Sequence, residues 1–353
     1  MKISDPKPKG EISMGSVKDL FVQTSPRENI MGQGKFIFSD RYSVFDWGEM
    51  PDHIPHKGEA LCLIGAYFFE KLSSLGHETH YRGLEENDQV KLLSEISAPS
   101  SIMHVSLVKV IHPTQNGNSY DYGVYHQDHT NFLIPFEFIY RNSIPFGASF
   151  RKRVESGSIN LKEYGLEKMP SPDKKLSTPI LDVSTKLEEQ DRYLTWDQVL
   201  ELNIISQEDI QNIKKTLTFA DELITQEVKT IGLENEDGKI ELAFDPERKL
   251  MFVDVLGTPD ECRFTWKGIH LSKEVAREFY RKTSWYDEVS QIKSRYSVGW
   301  KYYVKSKPQP LPERLLQAIG WIYQRIAMDL TEREWFLGVP SLEKIVEEIK
   351  EFV

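Results

Sequence analysis

Apolar positions recur with a period of two in some stretches and of about 3.6 in others, and the two rhythms predict different elements. Residues 15–22 (GSVKDLFV) and 35–46 (KFIFSDRYSVFD) read as strands with turn punctuation between them, after a polar leader. Residues 59–75 read as a helix, because Leu61, Ile64, Phe68, Leu72 and Leu75 recur at helical spacing and Gly76 supplies the stop. Residues 104–113 read as a strand, 114–131 as a turn-rich loop or decorated crossing between lobes, and 136–142 as a strand again. Ser206 opens a long helix: Asp209 completes a capping-box pattern, and Ile210, Ile213, Leu217, Ala220, Leu223 and Ile224 form an apolar stripe. After a hairpin the chain is mostly helical, with starts near Ser272, Pro312 and Ser341. Strands first and helices later predict an α+β fold.

The hairpin, residues 236–264, carries acids among apolar neighbours: Glu241 in KIELAF and Asp254 in LMFVDVL. Alternation puts Ile240, Leu242 and Phe244 on one face and Lys239, Glu241 and Ala243 on the other. A four-residue turn at 246–249 would set Asp245 against Leu250 and Glu241 against Asp254. Directly opposed residues have Cβ atoms roughly 4.5–5.5 Å apart, so two buried carboxylates there repel. A hard divalent cation would remove the conflict. Mg²⁺ is usually held by one or two carboxylates plus substrate phosphates, and Lys239 could hold a phosphate or a substrate carboxylate. A solvent-facing strand side would carry the same residues without a metal, and spacing leaves both readings open.

The 353 residues suffice for a large core and two lobes, and 39% apolar with 28% charged residues is the balance of a soluble globular protein. A net charge of −10 argues against nucleic-acid binding through bulk basicity but leaves room for a local basic pocket. Cys62 and Cys262 lack metal-ligand spacing and cannot build a disulfide scaffold, which fits a reducing cytoplasm. The leader lacks a signal-peptide core, and the nine-residue run LCLIGAYFF is too short to span a membrane. His53, His56, His77 and His80 cluster without the context of a zinc site.

Several stretches, in order, resemble the SAICAR synthetase (phosphoribosylaminoimidazole-succinocarboxamide synthase) family. Asp237-Gly238-Lys239-Ile240-Glu241, then Asp254, then Thr258-Pro259-Asp260-Glu261-Cys262-Arg263 is similar to the family signature. So are residues 15–21, 39–46 with 54–58, Tyr140-Arg141-Asn142 with Gly147-Ala148-Ser149, 179–191, and the helix region 310–331. The chain departs from the pattern at Ser16, Leu242-Ala243, Thr258 and Gln190-Asp191-Arg192. The 141–149 loop is longer than usual, and 113–131 and 285–306 look like insertions.

The resemblance implies a two-lobed α+β fold with ATP in the cleft. Residues 1–112 would form an antiparallel nucleotide-binding lobe, and 113–353 a larger lobe with the hairpin, substrate loops and helices. It implies an ATP-dependent ligase joining carboxyaminoimidazole ribonucleotide to L-aspartate in purine biosynthesis, as a cytoplasmic monomer or homodimer without nucleic-acid or membrane partners. The altered loops keep open a ligase of this fold for another acid or amine, and Ser16 in place of the usual Lys keeps open a non-catalytic nucleotide-binding paralogue.

By the same resemblance Glu241 and Asp254 are the Mg²⁺ ligands that bridge ATP phosphates, and Lys18 touches those phosphates. Lys109 is either a nucleotide contact or an ordinary edge lysine. Arg141, Ser149 and Arg263 form a ribose-phosphate clamp, for which the planar guanidinium is suited. Lys239 and Asp237 order the reacting carboxylate or the incoming aspartate, although a turn role before Gly238 is open for Asp237. Asp260 either orients Arg263 or closes a turn. Asp46 and Lys57 lie on a mobile substrate loop or are merely solvated there.

Overall fold

The structure, a computed structural model, describes residues 12–117, 119–172, 174–296 and 299–352; the expected polar leader falls largely outside the described residues. Two sheets organise the chain, and the architecture is the α+β arrangement the sequence implies. The first is antiparallel and runs, in spatial order, Ile12–Ser13, Lys18–Thr24, Gly32–Phe38, Ile102–Leu107, Tyr81–Glu86 and Gln89–Lys91. Alternation sends Leu20, Val22, Phe36, Phe38, Met103 and Val105 inward. Helix Lys57–Ser74 covers that face and packs in turn on helix Glu313–Thr331.

The second sheet orders Tyr193–Leu194, Ile180–Thr185, Phe132–Arg141, Glu234–Phe244, Leu250–Val253 and Glu78–Thr79, with Cys262–Trp266 paired to the early part of Glu234–Phe244. Only Glu78–Thr79 joins this path in parallel, linking the first part of the chain to the second sheet. Helix Gln207–Thr230 lies across its back, with Ile210, Ile213, Leu217, Ala220 and Ile224 buried. The Ser206–Asp209 capping box forms in both directions, as the sequence predicts.

Several boundaries differ from the sequence reading. The strand predicted over 35–46 ends at Phe38, and that predicted over 104–113 is Ile102–Leu107. Helix Lys57–Ser74 starts two residues before the predicted helix because Asp40, distant in sequence, accepts hydrogen bonds from the His56 and Gly58 amides at 3.2 and 2.9 Å. Residues 114–131 include a small hairpin, Thr114–Asn116 with Ser119–Asp121, followed by the buried Tyr122 and Tyr125. The helix starting near Ser272 becomes two, Glu274–Tyr280 and Ser284–Arg295.

The largest correction concerns the hairpin register. The turn has three residues, not four: the Asp245 amide donates to the Lys249 carbonyl, and Arg248 adopts φ 62°. A left-handed residue closing a three-residue loop shifts the pairing by one. Glu241 therefore opposes Val253, and Phe244 opposes Leu250. Alternation alone would then send Asp254 to the core side with Ile240. Instead the strand ends at Val253 and Asp254 turns to φ 64°, which brings its carboxylate back to the Glu241 side.

Candidate active site

The site grows from one face of two neighbouring strands. Phe132–Arg141 and Glu234–Phe244 pair so that Glu137 opposes Glu241, Ile139 opposes Lys239, and Arg141 opposes Asp237. These side chains project into one continuous cleft, with a smaller half of about 220 Å³ and a larger half of about 470 Å³. Lys239, Glu137, Asp260, Glu261, Lys273 and Arg277 line both halves and form the junction.

In the smaller half Glu241 and Asp254 are gathered as expected, although not by direct cross-strand opposition. Lys18 Nζ lies 2.7 Å from Asp254 Oδ1, and Lys186 forms an ion pair with Glu241. Burial, reinforced by the Asp254 charge, pushes the Glu241 carboxyl up to about 7. Burial alone would raise Asp254 too, but Lys18 overrides it and holds that carboxyl below the usual range. Ser16, Leu20 and Phe36 complete the wall, with the Lys18 ammonium 5.1 Å from the Phe36 ring centre.

Lys239 joins the halves. Its ammonium is 2.6 Å from Glu137 Oε1 and 3.1 Å from Glu261 Oε2, and these carboxylates raise its pKa against the effect of burial. Gly238 beside it has no room for a side chain: a Cβ would strike the Tyr140 hydroxyl and the Cys262 thiol. Asp237 lies inside a continuous strand, not a turn, and its carboxylate receives Arg141 Nη1 at 3.2 Å and an ion pair from Arg263.

The larger half is locally basic within an acidic chain. Eight lysine and arginine side chains line it against six carboxylates. Arg141 is buried and donates to the Ser149 hydroxyl at 3.1 Å; Ser149 donates to Tyr193 at 2.6 Å. Arg263, Lys152, Arg277 and Arg281 face the same space. The expected clamp residues Arg141, Ser149 and Arg263 are thus brought together around Asp237.

The remaining expected residues are not all in the cleft, and not all have the expected partners. Asp260 does not orient Arg263; it pairs with Lys57 at 2.8 Å and accepts from the Tyr323 hydroxyl at 2.7 Å. Lys57, expected on a mobile loop, is fully buried behind the cleft wall at the start of its helix. Lys109 pairs at 3.4 Å with the exposed Glu28 and lies outside both lining sets, the edge-lysine reading. Asp46 does reach the junction, with Lys293 Nζ 2.6 Å from its carboxylate.

A model of the SAICAR synthetase family matches residues 11–293. The chain belongs to that family. It is 47% identical over 338 residues, 96% of this chain and 99% of the other, to an Archaeoglobus fulgidus protein provisionally named phosphoribosylaminoimidazole-succinocarboxamide synthase. Its fold is similar to that of the Saccharomyces cerevisiae SAICAR synthase complexed with SAICAR: TM-score 0.61, 18% identity, covering 95% of this chain and 99% of that one. A type-2 SAICAR synthetase structure in complex with ADP gives TM-score 0.55 at 19% identity, covering 85% and 100%.

The motif reading of this SAICAR synthetase family member missed the partners that neutralise the acids. Lys186 lay in a recognised motif without an assigned role, and Glu137 shows the period-two signal, since Glu137, Ile139 and Arg141 all line the cleft. Arg277 and Lys293 follow the family signature on helices and Lys273 caps the first of them, where only folding aims them inward.

Proposed function

We propose that this chain is an ATP-dependent carbon–nitrogen ligase that joins carboxyaminoimidazole ribonucleotide to L-aspartate, releasing SAICAR, ADP and phosphate in purine biosynthesis. The observation that carries the reading is the continuity of the cleft: a half with paired acids and Lys18 opens, past Lys239, into a half lined with arginines. A free carboxylate is a poor acyl donor. Transfer of the γ-phosphoryl group to its oxygen makes phosphate the leaving group when the aspartate amine attacks the carbonyl carbon. Lys18 and Lys186 neutralise phosphate charge, Arg141 and Arg263 fix the ribonucleotide phosphate, and Lys239 holds the reacting carboxylate at the junction.

The acid pair fits Mg²⁺. Among the described residues no group of three or more His, Cys, Asp or Glu side chains forms a metal cage. Mg²⁺ does not need one, because it binds through one or two carboxylates plus substrate phosphates. Glu241 and Asp254 are buried oxygen donors of that kind, and their mutual repulsion is relieved by a divalent charge. When bound, the ion would supply charge neutralisation at the transferring phosphoryl group. Two free buried thiols fit a reducing, cytoplasmic setting.

The test is product identification by mass spectrometry after incubation with ATP, the imidazole ribonucleotide and aspartate, each omitted in turn. The expected result is the succinocarboxamide only when all three are present. ADP formation independent of aspartate, or no product with the complete mixture, overturns the assignment.

A further inference from the structure

The loop at the junction is held in an unusual backbone shape by a segment of the second half of the chain. Phe45 and Asp46 are consecutive non-glycine residues with φ 54° and 58°. L side chains visit this left-handed region rarely, and two in a row persist only when their surroundings impose it. Helix Ser284–Arg295 and the turn after it provide those surroundings. The Phe45 ring lies 4.5 Å from that of Tyr286, and Trp47 lies 5.4 Å from Trp285 and 6.1 Å from Trp300. Lys293 Nζ is 3.3 Å from the Phe45 carbonyl oxygen, 2.6 Å from Asp46 Oδ2 and 4.9 Å from the Trp300 ring centre.

The result is an ion pair at the mouth of the cleft. The Asp46 side chain is 80% exposed, so its carboxylate remains open to a ligand although Lys293 touches it. Phe45 and Asp46 line both halves, and Lys293 lines the larger. A pair that offers an exposed carboxylate and a partly covered ammonium, the Lys293 side chain being 27% exposed, is complementary to a zwitterion, which carries one group of each sign. An incoming amino acid must meet the activated carboxyl group at this junction.

We propose that the Asp46–Lys293 pair is the docking point for the zwitterionic head of the amino-acid substrate, with Lys293 also positioning the loop that carries Asp46. The proposal rests on the ligase reading and names the part of the site that receives the amine. Asp46 takes the ammonium group, and Lys293 takes the α-carboxylate.

Steady-state ADP release with ATP, the imidazole ribonucleotide and L-aspartate varied separately tests it on wild type, Lys293→Met, Lys293→Arg and Asp46→Asn. Lys293→Met is expected to raise KM for aspartate by about tenfold to a hundredfold, the scale of a lost charge-assisted hydrogen bond, with the other two KM values within about twofold. Lys293→Arg restores most of the loss, and Asp46→Asn alone raises KM for aspartate over a similar range, because each member of the pair holds a different group of the zwitterion. An unchanged aspartate KM, or equal rises in all three, overturns the docking role. Amide hydrogen exchange of residues 43–48 needs no turnover: faster exchange in Lys293→Met is expected, and unchanged exchange refutes the positioning role. A wild type that releases no ADP with these substrates sinks the ligase reading and the docking role with it, and exchange still decides positioning.

Discussion

Glu137 and Glu241 stand directly opposite each other on adjacent antiparallel strands, and two lysines lie between them. Lys239 Nζ is 2.6 Å from Glu137 and 4.0 Å from Glu241; Lys186 pairs with Glu241 and is 4.0 Å from Glu137. Like charges so opposed are destabilising unless neutralised. Removing one partner of a buried pair leaves an uncompensated charge. Lys186→Met should therefore destabilise the fold by about 3–5 kcal/mol, and Lys186→Met with Glu241→Gln should recover much of that. Urea unfolding of the two single variants and the double variant measures the coupling; additive losses would contradict it.

The same cluster predicts a pH dependence. The Glu241 carboxyl is raised to about 7 by burial and by Asp254, so near neutral pH it is partly protonated in the free cleft. A folded-state pKa above the unfolded value means that this group favours the folded state below about 4, relative to higher pH, and that the advantage is lost as pH rises through about 7. Asp254 has the opposite sign: its depressed pKa stabilises the fold above the ordinary carboxylate range, and that contribution is lost as pH falls. A cation needs Glu241 ionised. Mg²⁺–ADP should bind more tightly at pH 8 than at pH 6 and release protons near pH 7, measurable by calorimetry in buffers of different ionisation enthalpy.

Arg263 is the member of the proposed phosphate clamp with a partly open side chain, 20% exposed against 3% for Arg141. Arg263→Gln should raise KM for the ribonucleotide by about tenfold or more while leaving KM for ATP within about twofold. A selective rise in the ATP value instead would move Arg263 out of the clamp.

Helix Gln207–Thr230 offers a prediction remote from the cleft. Ser206 accepts from the Asp209 amide at 3.1 Å, and Asp209 accepts from the Ser206 amide at 2.8 Å. Ser206→Ala should cost about 1 kcal/mol in thermal or denaturant unfolding without altering either KM.

That helix was legible because its cap and stripe are local, within one or two turns of the chain. The split of faces in KIELAF was legible for the same reason: Ile240, Leu242 and Phe244 enter the core while Lys239 and Glu241 face the cleft. The opposition of Glu241 and Asp254 was not, because it depended on a turn length fixed by one left-handed residue, Arg248, and on another, Asp254, whose φ no alternation rule supplies. Lys57 has the spacing of a surface helix start, yet Asp260 and Tyr323 enclose it from about 200 and 270 residues away in the chain. Family motifs located Arg141, Ser149 and Arg263 in sequence, but only the strand pairing supplied Glu137 and Lys186 as the groups that keep the acids tolerable.

The most direct measurement of the central claim is ADP release by wild type, Glu241→Gln and Asp254→Asn with all substrates present, alongside circular dichroism. Asparagine is chosen at 254 because it tolerates the left-handed backbone there. The account predicts folded variants whose turnover falls by about a hundredfold or more, the scale of losing electrostatic stabilisation of a transferring group. Wild-type turnover in either folded variant would contradict it.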